Sequence, residues 1–295
     1  MDTDMTPPML TTAARPPTRT GDSSIGGLLL ESGKITPENA EKVLRMQKEL
    51  GIRFGEAAQR LGLITDADIQ QVLARQFDYP YLLAGQGKYS QRLLAAYKPF
   101  SPQVEVLRAI RSQLMLRWFA RGHKALVIVG IDSGDGASLF AANLAVVFSQ
   151  LGEHTLLVDA NLRTPTQHEI FDLKHKQGLS DVLAGRADLE AIARVESFVD
   201  LHVLEAGTLP PNPQELLSRA SFGELNNRLG ERFDVVLYDV AAFATAADAQ
   251  AIAARAGGVL LVTRRNQTRL SELNAATEQL VRGGAEIVGS VMVEF

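Results

Sequence analysis

The chain has 295 residues, 46% of them hydrophobic, enough for one large α/β domain or a mid-sized domain beside a small module. Thirty basic residues against 34 acidic ones leave a net charge of −4, which excludes a nucleic-acid-binding polycation. The absence of cysteine excludes disulfides, a thiolate zinc site and a cysteine nucleophile, and it suits a cytoplasmic protein.

Residues 1–22 contain Pro7, Pro8, Pro16 and Pro17 among threonines. They lack the basic start and apolar run of a secretion signal and read as a disordered tail. Residues 23–82 carry an internal repeat at an offset of 29, in which Ser24–Thr36 recurs as Arg53–Thr65. Gly26 matches Gly55, Gly33 matches Gly62, Ile35-Thr36 matches Ile64-Thr65, Val43-Leu44 matches Val72-Leu73, and Gln47 matches Gln76. Each copy reads as a short helix stopped by glycine, then a threonine cap opening a second helix, with Pro37 and Asp68 strengthening those starts. Residues 83–98 hold turn formers without apolar periodicity and read as a linker.

A basic segment follows: residues 99–124 carry five basic groups and one acidic group, whereas 125–295 carry 13 and 22. From Ala125 onward, apolar runs at 126–129, 155–158, 201–204, 235–238, 259–262 and 287–293 alternate with helical stretches at 138–151, 213–230, 246–256 and 269–283. Continuously apolar strands spaced by helices predict an α/β domain with a mostly parallel sheet covered on both faces. In such sheets ligands bind at the carboxyl ends of the strands.

Gly130–Ser138 joins the first strand to a helix, a context in which peptide N–H groups and a helix start cradle phosphate. The phosphate-loop pattern needs Gly at 131 and Lys at 137, where this chain has Ile131 and Ala137; Gly136 and Ser138 fit it. A tight turn that needs glycine for backbone reasons alone explains the letters equally well. Asp159 and Asp239 end two strands at the same edge, placed to orient Mg²⁺ beside a phosphate or merely to cap a helix. Arg163, Arg264 and Arg265 share that edge, as phosphate contacts or surface ion pairs.

Several blocks in order give residues 99–295 their resemblance. They are Glu105-Val-Leu-Arg108-Ala-Ile-Arg111, Gly134-Asp-Gly-Ala-Ser138, Leu156-Leu-Val-Asp-Ala-Asn-Leu-Arg163, Gly178–Gly185, Pro210–Leu217 and Asp234–Asp239. Together they resemble the bacterial tyrosine kinases of the exopolysaccharide chain-length type, in their EpsG-like group. The resemblance implies a phosphate-loop fold using ATP and Mg²⁺, located in the cytoplasm and peripheral at the inner membrane through the cytoplasmic segment of a membrane chain-length determinant. It implies that Gly134, Asp135, Gly136, Ala137, Ser138 and Arg163 hold nucleotide. Asp159 would assist the attacking tyrosine or the metal, and Asp239 and Ser138 would serve the metal. Pro210–Leu217 would lie near the base, and Glu105, Arg108 and Arg111 would form the interface of a homo-oligomeric ring.

This chain departs from the family where the chemistry lies. The loop lysine is Ala137, the second aspartate of the acidic motif is Asn161, Val240-Ala241 replaces Ser/Thr-Pro, and no tyrosine follows Tyr238. A weak or inactive kinase-like partner is therefore expected. The repeat in turn resembles the paired motifs at the N-termini of type II secretion ATPases. Some of those bind cyclic di-GMP through an arginine, which here implies Arg53, while the first copy has Ser24 instead. Two other readings stay open: a partition or site-selection ATPase, and a non-enzymatic cyclic di-GMP-responsive adaptor.

Overall fold

The sequence repeat is visible as repeated geometry. In a computed structural model, which describes residues 24–69, 72, 82, 87–174 and 176–294, the chain divides into two units, Met1–Asp78 and Tyr79–Phe295. The 1–22 tail, and Leu73 and Gln76 of the second copy, lie outside the described residues.

In the first unit, helices α1 (Ile25–Glu31) and α3 (Phe54–Arg60) occupy equivalent places in the two copies, and α2 (Pro37–Leu50) follows α1. Both α1 and α3 end in the same Schellman turn. Gly33 and Gly62 take φ of 69° and 68°, Lys34 N–H donates to Leu29 O, and Leu63 N–H donates to Ala58 O. Thr36 caps α2 by accepting from Asn39 N–H, with Pro37 at the first helical position. Thr65 and Asp68 exchange the two hydrogen bonds of a capping box. Lys34 of one copy pairs with Asp68 of the other at 2.6 Å, and that contact with the Thr65 bonds pulls the Asp68 carboxyl down to about 2. The core joins matched positions: Leu29 with Ala58, Ile35 with Ile64, and Val43 with Val72.

In the second unit, α4 (Leu94–Tyr97) and α5 (Pro102–Arg117) precede the first strand. The order then runs β1 (Ala125–Gly130), α6 (Ala137–Ser149), β2 (Thr155–Asp159), α7 (Gln167–Ile170), α8 (Leu179–Leu183), β3 (Ala193–Arg194), β4 (Leu201–Leu204), α9 (Pro213–Ser218), α10 (Ala220–Arg232), β5 (Val235–Asp239), α11 (Asp248–Ala256), β6 (Gly258–Arg264), α12 (Leu270–Arg282) and β7 (Glu286–Val293). The seven strands lie in the order β3-β4-β2-β5-β1-β6-β7, parallel except for β3 against β4. Alternate residues of β1 feed opposite cores: Val127 and Val129 enter one, Leu126 and Ile128 the other. That two-sided burial explains the uninterrupted apolar runs.

Two segments differ from their sequence reading. The stretch 213–230 is two helices, because Arg219 is extended and the Arg255 guanidinium takes the Ser218 carbonyl. Within 83–98, Tyr89, Leu93, Ala95 and Ala96 are buried in the core of the second unit. Asn143 of α6 accepts from Ala95 N–H and donates to Arg92 O, and Gln150 at the end of α6 donates to Ala95 O, so these side chains satisfy backbone groups of the single-turn α4 and of the residues before it. Among the described residues no helix is long and apolar enough to cross a membrane.

Trp118, the sole tryptophan, is buried between α5 and β1, where its indole N–H donates to Ala125 O at 2.9 Å. A methyl at Gly258 would lie 2.3 Å from Trp118 Cζ2. Gly258→Ala therefore forces the indole or β6 to move. The expected cost is about 1–3 kcal/mol, read as a lower urea midpoint with a shifted Trp118 emission.

Candidate functional site

The loop between β1 and α6 lines a cleft of about 470 Å³ at the carboxyl edge of the sheet. Gly134 and Gly136 take φ of 92° and 76°, left-handed conformations that turn the chain sharply into α6, with Gly136 as its N-cap. Helix geometry leaves the first N–H groups of α6 without intrahelical acceptors, at the positive end of the helix dipole. Asp135 lines the cleft, yet its carboxylate is engaged within the loop. It is buried, its Oδ2 accepts from Asp132 N–H at 2.9 Å, and it braces the loop from within. Burial, then the charges of Glu272 and Asp135, raise the Asp132 carboxyl.

Behind the loop, Asp159 and Asp239 are partners in the parallel register of β2 and β5, placing fully buried carboxylates on adjacent strands roughly 5 Å apart. Asp159 accepts from the N–H groups of Asn161, Thr166 and Gln167 at 3.3, 3.0 and 2.9 Å. Asp239 accepts from Ser138 Oγ at 3.0 Å and from Gln167 Nε2 at 2.7 Å. Desolvation, and for Asp159 also the charge of Asp239, push both carboxyls above the ordinary range despite these bonds.

Gln167 is the residue that sequence reasoning missed. Its Nε2 bridges Asp239 and the Ser138 carbonyl, while its buried Oε1 has no partner, nor does the buried hydroxyl of Thr166 beside it. Such orphaned acceptors call for a ligand or water. The only signal in the sequence was its place eight residues after Asp159, in a segment with no periodicity.

These oxygens fit Mg²⁺. Among the described residues, no cluster of three or more His, Cys, Asp or Glu gathers to form a protein-only metal cage. A hydroxyl, two carboxylates and an amide oxygen beside an anion-ready loop suit an ion that keeps waters and binds through phosphate. Ser138 and Asp239 would hold it, with Asp159 and Gln167 within reach of its waters.

The remaining expected residues separate. Ala137 and Ser138 line the cleft. Arg163 lines it too, but its guanidinium grips the buried Asp248 through Nε at 2.7 Å and Nη2 at 3.1 Å. Asn161 builds the loop: its Oδ1 accepts from Thr164 N–H and its Nδ2 donates to Thr164 O, a bond a carboxylate cannot make. Pro210–Leu217 does not line the cleft. On α5, Glu105 pairs with Arg108, while Arg111 turns inward to donate to Val147 O. Arg53 is exposed at the start of α3, in the other unit.

Comparison with known proteins places this geometry. Residues 123–278 match the family model described as cellulose biosynthesis protein BcsQ. Tyrosine-protein kinase YwqD of Bacillus subtilis is 35% identical over 212 residues, which is 72% of this chain and 90% of YwqD. EpsB of Ralstonia solanacearum is 36% identical over 288 residues, 90% of this chain, although the chain spans only 38% of EpsB. The kinase domain of Escherichia coli tyrosine kinase ETK superposes with a TM-score of 0.66 at 27% identity, covering 70% of this chain and 82% of that domain. The chain belongs to the bacterial tyrosine kinase family, with a phosphate-loop domain of the BcsQ type.

Proposed function

We propose that the 99–295 domain binds ATP with Mg²⁺ in the cleft and transfers phosphate to tyrosine weakly or not at all. On this reading it serves chiefly as a kinase-like, homo-oligomeric partner of a membrane chain-length determinant in exopolysaccharide assembly. One observation carries the reading. The hydroxyl and carboxylate group of Ser138, Asp159, Asp239 and Gln167 is fully assembled, whereas position 137, where the family has its loop lysine, ends in a methyl.

Bound Mg²⁺ would neutralise charge on the transferring phosphate. The chain's own contribution is positional. Ser138 and Asp239 would hold the ion, Gln167 ties both to α7, and Asp159 is held by three peptide N–H groups at the end of β2. Burial raises the Asp159 carboxyl, so it holds its proton in the metal-free protein, and only with Mg²⁺ bound beside it would it be free to accept the proton of an incoming tyrosine hydroxyl. Missing is the charge-assisted contact of a loop lysine with the phosphates, about 1.5–3 kcal/mol. The 23–82 module is read as a docking piece. Where a second arginine would be needed for cyclic di-GMP, Ser24 instead caps α1 by accepting from Gly27 N–H.

Calorimetry on the full chain should detect Mg²⁺-dependent ATP binding, and Asp239→Asn should weaken it about tenfold or more. Wild-type protein should give little phosphotyrosine, with Ala137→Lys raising the rate roughly 10- to 100-fold. Brisk wild-type transfer lost on mutating Asp159 and Asp239 would refute the inactivity and leave the site standing.

The raised carboxyls also set a pH dependence in metal-free protein. The unfolded chain loses these protons near the ordinary carboxylate pKa while the folded chain keeps them. Stability therefore falls as pH rises from that value to the raised folded ones. Asp239→Asn removes one of the two charges and keeps a donor and an acceptor for Ser138 and Gln167. In chelator at pH 8 its melting temperature should exceed wild type by a few degrees, and the gain should vanish near pH 4.

A further inference from the structure

A phosphate loop without its lysine must neutralise an anion from elsewhere or bind it poorly. Lys124 is spoken for, at the opposite end of β1 and 3.4 Å from Asp234. Arg264 does not line the cleft, and Arg163 is committed to Asp248. Two cations line the cleft against three acidic residues, Asp132, Asp135 and Glu169. The second cation is Arg92.

Arg92 belongs to the segment before the basic helix, yet its backbone is held firmly. Its carbonyl accepts from Asn143 Nδ2 at 3.3 Å, its N–H donates to Ser90 Oγ, and the next residue, Leu93, is fully buried. Ser90 N–H in turn donates to Ile170 O at 2.9 Å, joining this segment to the wall that carries Thr166 and Gln167. The Arg92 side chain is exposed, and none of the described residues pairs with its guanidinium. The arrangement is a free cation on a fixed backbone, lining the same cleft as the orphaned Thr166 hydroxyl.

We propose that Arg92 supplies from outside the loop the cation missing at position 137, binding the terminal phosphate of the nucleotide. This rests on the nucleotide-binding reading above. A guanidinium offers the phosphate two parallel N–H donors, here from the wall of the cleft rather than from the loop.

The test is calorimetry of full-length protein with Mg²⁺ and a non-hydrolysable ATP analogue, ADP or AMP, on wild type, Arg92→Ala, Arg92→Lys, Ala137→Lys and the Ala137→Lys/Arg92→Ala double variant. Arg92→Ala should lose roughly 10- to 100-fold in affinity for the triphosphate and little for AMP, at an unchanged melting temperature. Arg92→Lys should recover part of the loss, and with Lys at 137 the Arg92→Ala penalty should shrink several-fold. Equal triphosphate affinity for wild type and Arg92→Ala would overturn the assignment while leaving nucleotide binding intact. An equal loss for every nucleotide, unrelieved by Lys at 137, would also overturn it, by making Arg92 a structural residue only. If the wild type binds none of the three, the nucleotide reading itself falls, and Arg92 with it.

Discussion

Because Asp159 and Asp239 face one another from adjacent strands with no exposed surface, the folded chain must supply every partner they have, and much of the site is arranged around that demand. Three peptide N–H groups converge on the first carboxylate, and a serine hydroxyl and a glutamine amide on the second. Each donor comes from an element whose position is thereby set: the start of α6, the turn after β2 and the first residue of α7. Two buried carboxylates this close are costly to ionise together. A divalent ion is the natural relief, and the site holds acceptors in reserve for it in Gln167 Oε1 and the carboxylates themselves.

The same economy explains residues that look degenerate in the sequence. Asn161 is a lost carboxylate by comparison with the family, but as an amide it closes the 161–164 turn from which Arg163 reaches Asp248. Asp135 occupies a loop position that suggests a ligand, and instead bonds the loop to itself. Only Ala137 has no substitute role within the loop, and it is there that the cleft draws on the neighbouring segment for charge.

The sheet was legible because both of its faces are covered, so β1, β2, β4 and β5 stand out as apolar runs within a residue or so of their observed bounds. Two-residue β3 is too short to leave a pattern, and the break at Arg219 carries no glycine or proline, since its cause is a guanidinium 36 positions away in the chain. The carboxylates at the strand ends followed from topology. Gln167 and Arg92 did not, because each acts through one tertiary contact set that no periodicity announces. The burial of Tyr89, Leu93, Ala95 and Ala96 left no pattern for the same reason, resting on a few anchors and on side-chain amides from α6 and its end.

The small helical unit shows how far its two copies have diverged from interchangeable parts. Phe54 of the second copy stands where the first has Ile25, and its ring lies over Gly26, so close that a methyl there would sit 3.2 Å from it. Ile69, which answers to Ala40, presses in the same way on Gly55. Leu29 likewise is matched by the smaller Ala58. Bulk has been traded across the internal pseudo-symmetry, large in one half where the other is small. The halves are now lock and key, so a tandem of two first copies would collide or gape where the natural pair interlocks.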